Sequence, residues 1–286
     1  MKMKWKALGK AAAYALLFLG AQAIAGMGIM VCVMLSYLYQ YPILVEMDPE
    51  QALDLVMDMS AASMPTYMLV GILIANFLSL LMVLLFFWIR KKNFFREVQL
   101  VKPQGRHLLL AAVIGLTFFC VTVLLDSVMP YSDAQWQELE ENAGMLPDGI
   151  SLLTMLAVAA AAPVVEEIFF RGLVYTRLRR GFGMVVSMLL SAAMFGLGHG
   201  GTIWFVSSAL AGLVLAFALE QTGSLYIPIL IHLLNNTVAQ MLQTVAELPD
   251  WVIFAGAAVC LGAVFLLWKT GRREDQTPAV HDKTDF

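Results

Sequence analysis

Charge is scarce in this sequence: Asp, Glu, Lys and Arg make up 14% of the 286 residues, while 60% are hydrophobic. A water-soluble domain of this length carries a far larger charged surface, so a soluble globular fold is excluded. Cysteine is nearly absent. The three present, Cys32, Cys120 and Cys260, each sit inside an apolar run without metal-ligand spacing, which excludes a disulfide framework and reads as free, buried thiols. The formal net charge is only −3. There is no Lys/Arg stripe with interleaved aromatics, so nucleic acid is not an expected partner. The sequence also lacks His-Glu-x-x-His, Gly-x-Ser-x-Gly and Gly-x-Gly-Asp, and with them the zinc, serine and aspartate chemistries those motifs carry. No internal repeat and no low-complexity tract is visible.

What the chain does have is long apolar runs, each able to cross a hydrocarbon core of roughly 30 Å. Eight are read, at 11–38, 66–89, 107–126, 150–175, 183–199, 202–219, 224–244 and 251–268. The expected fold class is therefore all-α, a polytopic membrane protein of about eight transmembrane helices. The start resembles a signal peptide, with Lys2, Lys4, Lys6 and Lys10 before the apolar run. That run continues uncharged to Leu38, so an uncleaved first helix is expected. Lys and Arg favour the cytoplasmic ends of spans. Placing the N-terminus inside collects Arg90, Lys91, Lys92, Arg96, Lys102, Arg106, Arg177, Arg179, Arg180, Lys269, Arg272, Arg273 and Lys283 on one side. The opposite loops, 39–65, 127–149, 200–201 and 245–250, hold no Lys or Arg. Both termini are thus expected in the cytoplasm. The segment Tyr131–Met145 is expected as a short interfacial helix, and the charged tail after Trp268 as disordered. The organisation reads as a three-span scaffold over 1–130, a chemical core of four spans over 150–245, and a last span and tail over 251–286.

Glu166, Glu167 and Arg171 lie deep inside the fourth span. A charge at the bilayer centre costs on the order of 2.5–3.5 kcal/mol on insertion scales and faces a bundle interior or a watery cavity. Glu167 and Arg171 are four residues apart with the acid first, the favoured order for a helical ion pair. Glu166 points about 100° away around the helix and is left uncompensated. His199 and His232 also fall in spans, with Phe195 four residues before the first and Asn236 four after the second. His107 and His281 lie in basic or tail segments and read as solvated. Glu166 is 16 residues before Phe182 and His199 is 17 after it. At about 1.5 Å per residue both lie roughly 24–26 Å from that turn, level with each other on antiparallel neighbours. A carboxylate, two histidines and an amide in a low-dielectric cavity are parts for activating water and stabilising an oxyanion. Glu166, His199 and His232 also make a carboxylate–imidazole set of the kind that binds zinc, so a zinc cofactor is the candidate metal if one is used.

Glu166-Glu167-x-x-x-Arg171, Phe195-x-x-x-His199 and His232-x-x-x-Asn236, in that order on successive helices, resemble the three motifs of the CPBP family. That family comprises type II CAAX prenyl endopeptidases and bacterial, Abi-like relatives, including bacteriocin-processing and immunity proteins. The resemblance covers about 150–245. It implies a glutamate-dependent intramembrane endopeptidase, in which Glu166 is the general base and His199 helps hold the water. His232 and Asn236 would donate to the oxyanion, and Glu167 and Arg171 would support Glu166. The implied partners are the lipid bilayer and a membrane-associated peptide or protein substrate, and the expected location is a bacterial plasma membrane. Two other readings stand beside it: a non-proteolytic immunity or scaffold protein that binds a peptide in the membrane, and a proton- or ion-coupled transporter. The lack of repeats and of paired broken helices speaks against the last. Leu146-Pro147-Asp148-Gly149 is superficially like the Asp motif of membrane zinc proteases and reads better as a turn.

Overall fold

The computed structural model describes residues 2–61, 63–144, 151–242 and 248–271. Among these residues the regular structure is helical, with no strand. Helices α1 (Lys2–Gln40), α2 (Pro49–Ser60), α3 (Met64–Ile89), α4 (Gly105–Val128) and α5 (Asp133–Ala143) occupy the first half. Helices α6 (Leu152–Arg179), α7 (Met184–Leu197), α8 (Thr202–Thr222), α9 (Tyr226–Leu242) and α10 (Asp250–Thr270) follow. Eight of them fall on the eight apolar runs. Six (α1, α3, α4, α6, α8 and α10) are long and apolar enough to cross a membrane, while α7 and α9 are shorter, at 14 and 17 residues. This is a polytopic all-α membrane protein. The turn at Leu146–Gly149 and most of the tail after Trp268, from Arg272 onward, lie outside the described residues.

The outer surface is apolar. Leu16, Ile24, Val31, Phe77, Phe254 and Leu261 are all exposed, as lipid-facing side chains are. Trp5, Trp88, Trp251 and Trp268 are exposed near helix ends, where indole rings suit the membrane–water interface. Cys32 is on this surface and not in the core as expected, while Cys120 and Cys260 are buried free thiols. Two large core clusters lie inside, beside a small third one at Leu44, Ala52 and Val56. In one, rings of α1, α6 and α7 meet: Phe18 contacts Phe169 and Phe170 at 5.1 and 5.5 Å between centroids, and Phe170 contacts Phe195 at 5.2 Å. The other joins α4, α8, α9 and α10 through Ile114, Phe118, Leu215, Ile231 and Leu267. Because lipid is as apolar as a side chain, close backbone approach carries much of the association, and small residues permit it.

Polar clamps hold the helix ends. Glu97, after α3, accepts Arg177 at 2.6 Å and Arg180 at 3.3 Å. Glu220 of α8 pairs with Arg179 at 2.7 Å and accepts the Tyr175 hydroxyl. At the other end α5, the expected interfacial helix, lays Glu138 against the start of α8, where its carboxylate accepts the Thr202 backbone N–H at 3.0 Å. An acid at a helix N-terminus is favoured by the helix dipole. Helix α2 was not expected. Its signal is in the sequence: Ala52, Val56 and Ser60, at four-residue spacing, are its buried face, and Asp48 caps it by accepting the Glu50 N–H.

Helix α6 is not uniform. Its backbone widens to π geometry over Met155–Ala161 and again over Ile168–Tyr175, with an α-helical stretch Ala162–Glu167 between them. Pro163 explains the first widening. A proline inside an α-helix lacks its N–H, and its ring conflicts with the carbonyl four residues earlier. Here the Ala162 N–H reaches back five residues to the Ala157 carbonyl, which opens the turn.

Gly115 of α4 abuts α9: a Cβ there would lie 2.8 Å from both the Ile231 carbonyl oxygen and Leu234 Cβ, whereas one at Gly9 would meet nothing within 4 Å. Backbone cannot yield, so Gly115→Val is expected to cost about 1–3 kcal/mol of stability and to lower the melting temperature in detergent, while Gly9→Ala leaves it unchanged. Equal melting of the two variants would show that α4 and α9 are not packed this closely.

Candidate active site

Glu167 and Arg171 lie one turn apart on α6 and are fully buried, with Arg171 Nη1 2.9 Å from Glu167 Oε1. The same oxygen receives a second donor from α9: His232 Nδ1 is 2.8 Å away. A carboxylate held by a guanidinium accepts, so Nδ1 carries the proton and Nε2 is the nitrogen turned toward chemistry. That Nε2 lies 3.7 Å from Glu166 Oε2. His232 therefore bridges the two carboxylates. They differ in surroundings: Glu167 is closed off, while the Glu166 side chain is 17% exposed and the more open of the two. Among the described residues Glu166 makes no ion pair with a Lys or Arg side chain, and only this imidazole lies beside it.

Phe195 on α7 joins the second histidine to this group. Its ring packs edge-on against His199 at 4.6 Å and His232 at 5.7 Å, and the Arg171 guanidinium carbon sits 4.2 Å from its centroid. A desolvated cation over a ring face contributes on the order of 2 kcal/mol, which matters here because Arg171 Nε and Nη2 have no hydrogen-bond partner among the described residues. Gly212 of α8 makes room on the far side: a Cβ there would lie 3.0 Å from Ala192 Cα and 3.2 Å from Arg171 Nη2.

His199 is not inside a helix as the sequence suggests. Helix α7 ends at Leu197, because Gly198, Gly200 and Gly201 follow and both Gly200 and Gly201 adopt φ of +65°, a conformation that side-chain-bearing residues avoid. His199 lies in this turn, half-buried, with Nδ1 3.0 Å from the Phe195 carbonyl. A carbonyl only accepts, so Nδ1 is again protonated and Nε2 is left for water or substrate. Beside the turn is a cavity of about 400 Å³ bounded by Glu138, Leu197, Gly200, Gly201, Thr202 and Phe205. Asn236 lies one turn beyond His232 but is engaged elsewhere: its Nδ2 donates to the Val158 carbonyl of α6 at 3.1 Å.

The structure thus gathers Glu166, Glu167, Arg171 and His232 into one cluster and ties His199 to it through Phe195. It leaves Asn236 on the flank. Among the described residues no group of three His, Cys, Asp or Glu side chains stands close enough to hold a metal ion, so no step below is assigned to zinc. One charged residue escapes the scaffold reading of the first spans. Asp126, in the last turn of α4, accepts the Ser207 hydroxyl of α8 at 3.1 and 3.3 Å. An acid closing an apolar run was its signal, and its role here is to tie two helices.

Residues 148–238 match the family model described as type II CAAX prenyl endopeptidase Rce1-like. This core segment, about a third of the chain, resembles that family. The match spans all three motifs and bears out their resemblance to the CPBP family. A Bacillus subtilis (strain 168) protein named "Putative membrane peptidase YdiL" is 26% identical over 105 residues, 36% of this chain and 43% of that relative. The similarity therefore spans less than half the length of the curated relative. No solved structure matches the chain.

Removing one partner of a buried ion pair strands the other and costs about 3–5 kcal/mol, whereas replacing both with apolar groups is far milder. Glu167→Gln and Arg171→Met are each expected to reduce membrane abundance and thermal stability, and Glu167→Leu with Arg171→Met to recover much of the loss. Normal abundance and melting of both single variants would mean that the pair does not bear on folding.

Proposed function

We propose that the protein is an intramembrane endopeptidase that hydrolyses a peptide bond of a membrane-associated protein or peptide. The observation that carries this reading is the pair of unequal glutamates bridged by His232: one buried and neutralised by Arg171, the other partly open with only an imidazole beside it. In the proposed reaction Glu166 takes a proton from a water molecule, and the water oxygen bonds to the carbonyl carbon of the substrate. The carbonyl π electrons move onto its oxygen. When the tetrahedral species collapses, the C–N bond breaks and the proton held by Glu166 passes to the leaving nitrogen. His232 Nε2, 3.7 Å from Glu166 Oε2, can share that proton while Glu167 holds Nδ1 and stabilises the imidazolium. His199, with Nε2 free, helps to hold the water. General acid–base catalysis of this kind contributes typically about 10²–10⁴-fold. Exclusion of bulk water strengthens every one of these interactions.

The name of the family model supports this reaction class, and the name of the Bacillus relative, a membrane peptidase, agrees with it. Prenylated substrates belong to the family's name and are not carried over to this chain.

Glu166→Gln keeps the shape of the side chain and removes its basicity. The variant is expected to insert and accumulate normally while losing at least about 100-fold in cleavage. The measurement compares peptide N-termini in membranes from cells expressing either form at equal abundance. Termini found only with wild type are expected, and they name substrates in the same experiment. Identical termini, with both proteins inserted, would reject proteolysis and favour peptide binding of the immunity kind. Cleavage that survives prolonged EDTA treatment is also expected. Loss that zinc restores would instead make Glu166, His199 and His232 metal ligands.

A further inference from the structure

We propose that Asn236 is a positioning residue whose amide replaces the backbone N–H that Pro163 lacks, and so fixes the direction in which Glu166 and Glu167 point. In a π turn each carbonyl bonds to the N–H five residues ahead. The Ala162 N–H follows that register and bonds to the Ala157 carbonyl. The next carbonyl, that of Val158, is owed the N–H of residue 163, which is a proline and has none. Its α-helical donor, Ala162, is already committed to Ala157. The Val158 carbonyl is therefore orphaned by sequence, at a half-buried position in a membrane-spanning helix, where a carbonyl without a donor is costly. The Asn236 Nδ2 donates to it at 3.1 Å across the α6–α9 interface.

The consequence reaches the acids. A π turn inserts one extra residue into the helix, and one residue corresponds to about 100° of rotation for everything that follows. Glu166 and Glu167 lie in the α-helical stretch Ala162–Glu167, directly after this turn. Were the turn to close to α geometry, both would swing by that angle away from His232. Holding the Val158 carbonyl holds the turn, and holding the turn aims the two carboxylates. An amide is suited to the task because its NH₂ donates without bringing a charge beside Glu166.

A double-mutant cycle between the two positions tests this in the full-length protein. Pro163→Ala restores a backbone N–H at residue 163, so it supplies the missing donor whether the turn stays open or closes. Asn236→Ala in the wild-type background is expected to lower the apparent melting temperature in detergent by about 4 °C, from the loss of one half-buried hydrogen bond. In the Pro163→Ala background the same change is expected to cost less than about 1 °C. Asn236→Asp, which keeps the shape and loses the donor, should follow Asn236→Ala. Equal losses in both backgrounds, or failure of Asn236→Ala to accumulate in either, would overturn the proposal.

A readout that stability alone does not move is the yield of the peptide ends that vanish with Glu166→Gln, normalised to protein in the membrane. This half rests on the peptidase reading. Asn236→Ala is expected to reduce that yield about tenfold in the wild-type background, by loss of one half-buried donor, and by no more than about twofold when compared with Pro163→Ala alone. An equal reduction in both backgrounds would place Asn236 on the substrate itself and reject the positioning role. If no peptide ends depend on Glu166, the peptidase reading fails while the melting cycle still decides whether Asn236 serves the Val158 carbonyl.

Discussion

The buried guanidinium of Arg171 is the constraint on which the rest of the core depends. A charge with no exposed surface, in a chain that spans lipid, cannot be left to solvent. Glu167 neutralises it from one turn away, and the Phe195 ring covers its face. Those two contacts fix more than the charge. By occupying Glu167 Oε1 together with His232, Arg171 keeps that carboxylate an acceptor, and this sets which nitrogen of His232 bears the proton. By lying under Phe195 it draws α7 against α6, and the same ring touches both histidines. The close approach of α8 at Gly212 follows, since a larger residue would press on Ala192 and on the guanidinium. A single neutralised cation thereby organises four helices, and the two histidines take their orientation from it.

The helices outside this core are not independent of it. Phe18 of α1 packs against both Phe169 and Phe170 of α6, tilted on the first and edge-on to the second. Gly115 lets α4 lie directly on the α9 backbone beside His232. The clamps at the helix ends divide by charge. Glu97 and Glu220 gather arginines at the end of α6, while Glu138 and Asp126 bond to uncharged donors of α8 at the other end. Each of these four clamping acids thus has a donor suited to its end of the bundle, which is what a medium without water requires.

How far the sequence determined this picture depends on the interaction concerned. Apolar run length, set by the thickness of the hydrocarbon layer, marked the six long helices and the two shorter ones, α7 and α9. The i,i+4 spacing of Glu167 and Arg171 marked their pair, because that contact is local. Three features were hidden. The partner of His232 was one, since nothing in a linear pattern says whether Glu166 or Glu167 faces α9. The end of α7 before His199 was underestimated: the run of glycines was visible, but its two left-handed residues depend on the chain turning directly into α8. The π turns of α6 were the third. Pro163 signals a disturbance there, yet whether a helix kinks or widens at proline is decided by whether a neighbour can serve the freed carbonyl.

That last point connects the cluster to its flank. As α9 advances from His232 to Asn236, its partners on α6 retreat from Glu167 to Val158, so the two helices run antiparallel and are joined twice on one face. Two hydrogen bonds one turn apart on α9 define both its rotation and its translation relative to α6. A slip of one residue along α9 would rotate that face by about 100° and break both together. The four-residue spacing of His232 and Asn236 is therefore the spacing that a rigid two-point attachment needs on one helix. The eight residues between Val158 and Glu167 include the end of the π turn that brings the second point into range. Catalytic geometry of the kind proposed here tolerates errors of about 0.5 Å, and one attachment leaves a helix free to roll about it. The second attachment removes that freedom, and it does so by using a carbonyl that proline had already released from the helix.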